Sequence, residues 1–99
     1  MNRTVDFHRS IQGDLRSILD HYENEAGVRL ADEFYKELQT RVNQVRENPT
    51  FFPYYRDDIR RANLQRFPYH FLYEIRIASV WIFVLRHNHR NPSYGMRRL

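Results

Sequence analysis

The rhythm of apolar and polar positions changes several times along the chain, and each rhythm predicts an element. From Thr4 to His8, Val5 and Phe7 alternate with Thr4 and Asp6, the period of a half-buried strand. Ile11, Leu15, Ile18, Leu19 and Tyr22 then recur at helical spacing and form one apolar face, with Asp14, Arg16, Ser17 and Asp20 mainly outside it. Ser10 stands where a hydroxyl can accept from the free amides of a first turn. Gly13 weakens that turn slightly. Gly27 suits the left-handed end of a helix. Val28, Ala31, Phe34, Tyr35, Leu38, Val42 and Val45 keep the helical period until Asn48–Pro49, where the residue before proline avoids helical angles. The short link predicts an antiparallel helical hairpin.

"TFFPYYRDD" reads as an aromatic loop, with Asp57–Asp58 a solvated turn. Extended patterns follow at Ile59–Leu64, Tyr69–Ile75 and Val80–His87, with turns at Pro68 and Arg76–Ser79. Strands joined this briefly pair antiparallel. The expected fold is therefore α+β, one domain over residues 1–99 in the order β-α-α-β-β-β, with the hairpin packed on an antiparallel sheet. Residues 92–99 show no apolar period and are expected to be mobile when the chain is alone.

One pattern does not fit a sheet covered on a single side. Val80–Leu85 is apolar at every position, whereas a strand with one solvated face alternates. Tyr69, Phe71, Tyr73 and Ile75 fill one face of the preceding strand, and Leu72 adds to the other. A single helical hairpin reaches one face only. The expectation is an apolar second face that a partner covers, unless the Phe51–Tyr55 loop or the tail folds over it.

Composition adds class and compartment. Apolar residues are 41% of the 99 and aromatic residues 15%, enough to pack one core. Tyr22, Phe34, Tyr35, Phe71 and Trp81 are expected in such packing. There is no cysteine, "MNRTVDFHRS" lacks the apolar centre of a signal peptide, and "ASVWIFVL" is too short to span a bilayer. These features point to a soluble cytoplasmic protein. The net charge is +4, and fifteen arginines face a single lysine, Lys36. Arginine in that excess favours recognition of phosphate or of acidic side chains on a partner.

The candidate chemistry sits in "VLRHNHRNPSYGMRRL", residues 84–99. Two apart on an extended backbone, His87 and His89 share one side, and Arg86 and Arg90 lie on the other. RNA transesterification needs a proton acceptor, a proton donor and cations for the crowded phosphate, and histidine and arginine supply these. Arg97 and Arg98 are expected in a solvated tail. No cysteine or carboxylate stands at metal-ligand spacing from His70, His87 and His89, so neither metal nor other cofactor is expected.

Four segments taken in order carry a family resemblance: "VDFHRSIQGDLRSILDHYE", "AGVRLADEFYKELQTRVNQVRENPTFFP", "IRRANLQRFPYHFLYEI" and "WIFVLRHNHRNPSYGMRR". Together they span nearly the whole chain. It resembles the RelE/ParE superfamily of type II toxins, and within it the ParE branch more closely. The resemblance implies a hairpin-on-sheet fold and a cognate antitoxin, acidic and partly disordered alone, in a hetero-oligomeric complex. Such a segment docks as a helix in a groove or adds a strand to an edge. Expected antitoxin contacts are Arg60, Arg66, Phe71, Tyr73, Trp81, Arg86 and Arg90. ParE-like toxins block DNA gyrase and are not enzymes; RelE-like toxins cut mRNA in the ribosome. In the second case His87, His89 and Tyr94 would be catalytic, Tyr94 because RelE-like nucleases often carry a tyrosine in the tail. Arg60, Arg61, Arg66, Arg86 and Arg90 would bind phosphate or target. RelE-like nucleases depend on several lysines and arginines across the sheet, whereas the lone lysine here, Lys36, lies on the second helix. The first expectation is thus a ParE-like growth inhibitor acting on gyrase, the second a ribosome-dependent endonuclease, and the third a relic that binds its antitoxin without toxicity.

Overall fold

The computed structural model describes residues 3–99; residues 1 and 2 of the expected domain lie outside the described part. The elements are β1 (Thr4–Phe7), α1 (Ile11–Ala26), α2 (Val28–Glu47), β2 (Tyr54–Arg56), β3 (Ile59–Asn63), β4 (Tyr69–Ile75), β5 (Ser79–His87) and a 3-10 turn at Met96–Arg98. They form one sheet in the order β1-β5-β4-β3-β2, with the hairpin on one face. Among the described residues no helix is long and apolar enough to cross a membrane.

Both helices form where the apolar period places them. Gly27 joins them at φ +91°, a backbone angle that costs other residues strain. Ser10 makes no side-chain cap; its own amide donates to His8 Nδ1 at 3.0 Å, just ahead of the first turn. Ile11, Ile18, Phe34, Leu38 and Val45 pack on Ala62, Phe71, Tyr73, Val80, Ile82 and Leu85. Phe34 is fully buried against the rings of Tyr22, Phe67 and Tyr69.

The sheet differs from the sequence expectation in two respects. It is mixed, because β1 runs parallel to β5, with Thr4 opposite Ser79 and Phe7 opposite Ile82. It also has a fifth strand, β2, inside the segment expected to be a loop, paired with β3 through an irregular register.

The all-apolar run of β5 has a geometric cause. Leu72 pairs with Val84 and Tyr73 with Ile82, so Phe83 is an extra, bulged residue. Alternation breaks there, and Phe83 and Val84 both join the face away from the helices. That face is apolar as expected, with Ile59 and Leu72 also buried on it. The expectation that it lies bare for a partner is corrected. Tyr55 of β2 and Tyr94 and Met96 of the C-terminal segment pack over it, and Leu72, Phe83 and Val84 are fully buried within this chain. The segment thought aperiodic is held by specific contacts. Gly95, at φ +83°, lies so close to Val84 that a Cβ there would come within 2.4 Å of Val84 Cγ2.

Candidate functional site

At the end of the sheet where β4 begins and β5 finishes, polar side chains interrupt the covered face. His70 and Arg86 sit opposite each other in the β4–β5 register. Parity puts both on the side away from the helices, and Arg61 of β3 joins them there, since Ala62 points into the helix-side core. Arg86 is 4% exposed and His70 1%. Arginine is rarely buried without partners. Here Arg86 donates through Nε to His70 Nε2 (3.0 Å), through Nη1 to the carbonyls of Pro92 (2.8 Å) and Tyr94 (2.9 Å), and through Nη2 to Tyr55 Oη (3.2 Å). Four of its five N–H groups are therefore engaged inside the chain.

This geometry assigns the histidine tautomer. Arg86 Nε can only donate, so His70 Nε2 accepts and the proton sits on Nδ1, which donates to Asn88 Oδ1 at 2.8 Å. Burial pushes the His70 pKa from 6.5 down to about 4, with Arg61 and Arg86 acting in the same direction against the Asn88 hydrogen bond. Asn88 Oδ1 also lies 3.4 Å from Arg61 Nη2, and Arg61 Nε donates to Asn63 Oδ1 at 2.8 Å. Burial, then the neighbouring Arg86 charge, lowers the Arg61 pKa. Among the described residues no carboxylate forms an ion pair with Arg61 or Arg86. Arg61 is the half-buried cation through which this network meets solvent.

The C-terminal segment that caps Arg86 is anchored on α1. Asp14, 5% exposed, accepts from Tyr94 Oη at 2.6 Å (Oδ1), from Arg98 Nη1 at 2.6 Å (Oδ2) and Nη2 at 3.1 Å (Oδ1), and from Leu85 N at 3.1 Å (Oδ2). β1 ends opposite Ile82, so Asp14 supplies an acceptor to a strand amide that β1 no longer reaches. The hydrogen bond to Asp14 raises the Tyr94 pKa, and the same carboxylate raises that of Arg98.

The remaining expected site residues are dispersed. His87 packs edge-on against Tyr69 and His89, and its Nδ1 accepts from His89 N at 3.0 Å. It shares with Arg90 and Tyr94 a polar cleft of about 210 Å3 beside the start of α1. Arg90 is exposed and stacks on Tyr94, 3.9 Å from the ring centre. Arg60 does not approach this end of the sheet: it donates to the carbonyls of Thr50 and Phe52 and covers the Tyr54 ring. Arg66 pairs with Glu33 of α2 at 2.8 Å. Phe71 and Tyr73 are in the helix-side core, where Phe71 also reaches the floor of an apolar groove, and Arg86 is enclosed on the opposite face. Trp81 lies half-buried on the opposite face beneath Arg76. Sequence reasoning missed Asp14, Tyr55, His70 as a network member, Asn88 and the role of Arg98. One signal was available: Asp14 is three residues after Ile11 and four before Ile18, so it belongs to the apolar face of α1.

A second, apolar feature lies on the other side. A groove of about 800 Å3 runs between β1, the hairpin and β5, lined by Phe7, Leu15, Tyr35, Leu38, Val42 and Ile82. Phe7 is 52% exposed and Tyr35 41%.

The family model described as "ParE toxin of type II toxin-antitoxin system, parDE" matches residues 5–92. The chain belongs to the ParE toxin family. No curated protein matches it in sequence. Among solved structures, the chromosomal ParDE toxin–antitoxin system from P. aeruginosa superposes with a TM-score of 0.76 at 18% identity, over 86% of this chain and 95% of that one. A double arginine mutant of the E. coli toxin RelE in the free state superposes with a TM-score of 0.64 at 15% identity, over 100% and 99%. At such identities the likeness is one of fold. It bears out the RelE/ParE-like α+β architecture, and the family match favours the ParE branch.

Proposed function

We propose that this ParE-family chain inhibits growth by binding its target, with DNA gyrase as that target, and is neutralised by an antitoxin seated in the apolar groove. The observation that carries the binding mode is the internal use of Arg86, His70 and Tyr94, the cation, imidazole and phenol at this end of the sheet. Arg86 spends its donors on His70, Tyr55 and the tail carbonyls, both His70 nitrogens are engaged, and the Tyr94 hydroxyl donates to Asp14. A general acid and base must be free to exchange protons with substrate. Arg61, with no carboxylate partner, is the candidate contact for an acidic or phosphate-bearing element of the target.

The groove supports the antitoxin reading. Its exposed Phe7 and Tyr35 and its volume of about 800 Å3 suit an amphipathic helix with an apolar stripe. Acidic residues on that helix would meet Arg9 at the groove wall. A second reading, ribosome-dependent mRNA cleavage, draws on the cleft that His87, Arg90 and Tyr94 share.

Expression without the antitoxin separates the two. A gyrase inhibitor traps cleaved DNA and loses supercoiling while messages stay intact, and replacing His87 and His89 with alanine leaves growth arrest in place. Discrete cuts in translated messages with normal supercoiling would reject the binding mode. Tyr35→Ala should weaken protection by the antitoxin and leave toxicity standing.

A further inference from the structure

The Arg61 patch and the Asp14 clasp lie at opposite ends of one unbroken chain of hydrogen bonds. Asp14 holds Tyr94 and Arg98. The backbone so fixed presents the carbonyls of Pro92 and Tyr94 to Arg86 Nη1. Arg86 then orients His70, His70 orients Asn88, and the Asn88 carbonyl receives both His70 and Arg61. The hydrogen-bond partners of the Asp14 carboxylate are Leu85, Tyr94 and Arg98, and Arg61, His70 and Asn88 are not among them.

We infer that Asp14 is a positioning residue for the target-contact patch, acting through the docked C-terminal segment and Arg86. The inference rests on reading the Arg61 patch as the surface that meets the target. The chemistry of position 14 is specific. Both carboxylate oxygens accept, Oδ1 from Tyr94 and Arg98 and Oδ2 from Leu85 and Arg98, so the site needs two acceptors and a negative charge. An asparagine has the same shape but must turn its NH2 group towards donors on one side. Freed from Asp14, the segment withdraws two of the acceptors that hold the Arg86 guanidinium, and Arg86 no longer keeps its Nε on His70. His70 then loses its fixed tautomer, and Asn88 no longer presents one oxygen to Arg61.

The test uses the full-length chain and three measurements. Side-chain nitrogen NMR follows His70 through a pH titration, graded induction measures toxicity, and titration with the antitoxin measures occupancy of the groove on the far side. In the parent protein His70 stays neutral, protonated on Nδ1, down to about pH 4. In Asp14→Asn its midpoint should rise by roughly one unit or more towards 6.5, with mixed tautomers. The inducer dose for half-arrest should rise roughly tenfold, and antitoxin affinity should change less than about twofold. Arg98→Met, which cuts one arm of the clasp, is the variant to use if Asp14→Asn does not fold, and it should shift His70 in the same direction. A His70 titration and tautomer unchanged in a folded clasp variant would overturn the positioning role. If His70 shifts as stated but Arg61→Ala remains fully toxic, the relay stands and the target-contact reading of Arg61 falls.

Discussion

Gly95 offers the most direct test of how the C-terminal segment docks. Replacing it with alanine perturbs two things at once. The backbone sits at φ +83°, where an L side chain costs about 1–2 kcal/mol. The new methyl would lie 2.4 Å from Val84 Cγ2 and 2.7 Å from Val84 Cβ. Val84 is fully buried in an interior strand, so it cannot swing away, and overpacking of this kind costs about 1–3 kcal/mol. The sum is about 2–5 kcal/mol, a large share of the stability expected for a domain of this size. Undocking sets a ceiling: if the segment lets go, the loss equals its docking free energy and goes no higher. Urea unfolding of Gly95→Ala, Val84→Ala and the double variant resolves the parts. Val84→Ala removes Cγ2 but leaves the Val84 Cβ 2.7 Å from the new methyl and the backbone angle unchanged, so Gly95→Ala should cost less in that background by only part of the overpacking term, about 1 kcal/mol. A Gly95→Ala loss below about 0.5 kcal/mol, or an equal loss in both backgrounds, would refute the close approach to Val84.

Two further outcomes follow from buried polar groups. The folded state holds His70 neutral to about pH 4 while the unfolded chain protonates it near 6.5, so its contribution is complete above pH 6.5 and shrinks as the pH falls towards 4. That gap corresponds to about 3 kcal/mol, visible as a stability–pH slope that His70→Asn should lack; an equal slope in both proteins would count against the buried neutral imidazole. Glu37 of α2 accepts from Gln65 N at 2.5 Å and Arg66 N at 3.1 Å, pinning the β3–β4 turn. Glu37→Gln offers one acceptor oxygen in place of two and should cost about 1–2 kcal/mol, with faster hydrogen exchange at both amides. Unchanged protection there would mean the turn holds itself.

The helical hairpin was legible because its apolar positions keep a 3.6-residue period between Gly27 and Asn48–Pro49. The three antiparallel strands were legible for the same kind of reason. β2 was not: three residues after Pro53 are too few to show alternation. The parallel pairing of β1 with β5 leaves no local trace, because its partners are far apart in sequence. The continuous apolar run of β5 correctly announced burial on two faces, but its cover is a tail that contributes only Tyr94 and Met96 from an irregular turn. The site was half visible. "RHNHR" marked the end of β5 where the buried network lies, yet Arg86 finds its acceptors in tail carbonyls and a histidine across the strand pair, which no spacing reveals. Asp14 was set outside its helix's apolar face, although its place beside Ile11 and Ile18 put it within.

The strand order carries a consequence for how the molecule comes into being. β5, the last strand of the sheet in chain order, lies inside it, between the first strand and the fourth. Until it arrives, β1 has no neighbour, β4 has an open flank, and the hairpin has only part of its floor. Contacts between residues so distant in sequence are slow to form, since a long loop must close before they contribute. A nascent chain therefore remains unfinished until β5 inserts like a keystone, and the Arg86–His70 pair, which needs both β4 and β5, is assembled last.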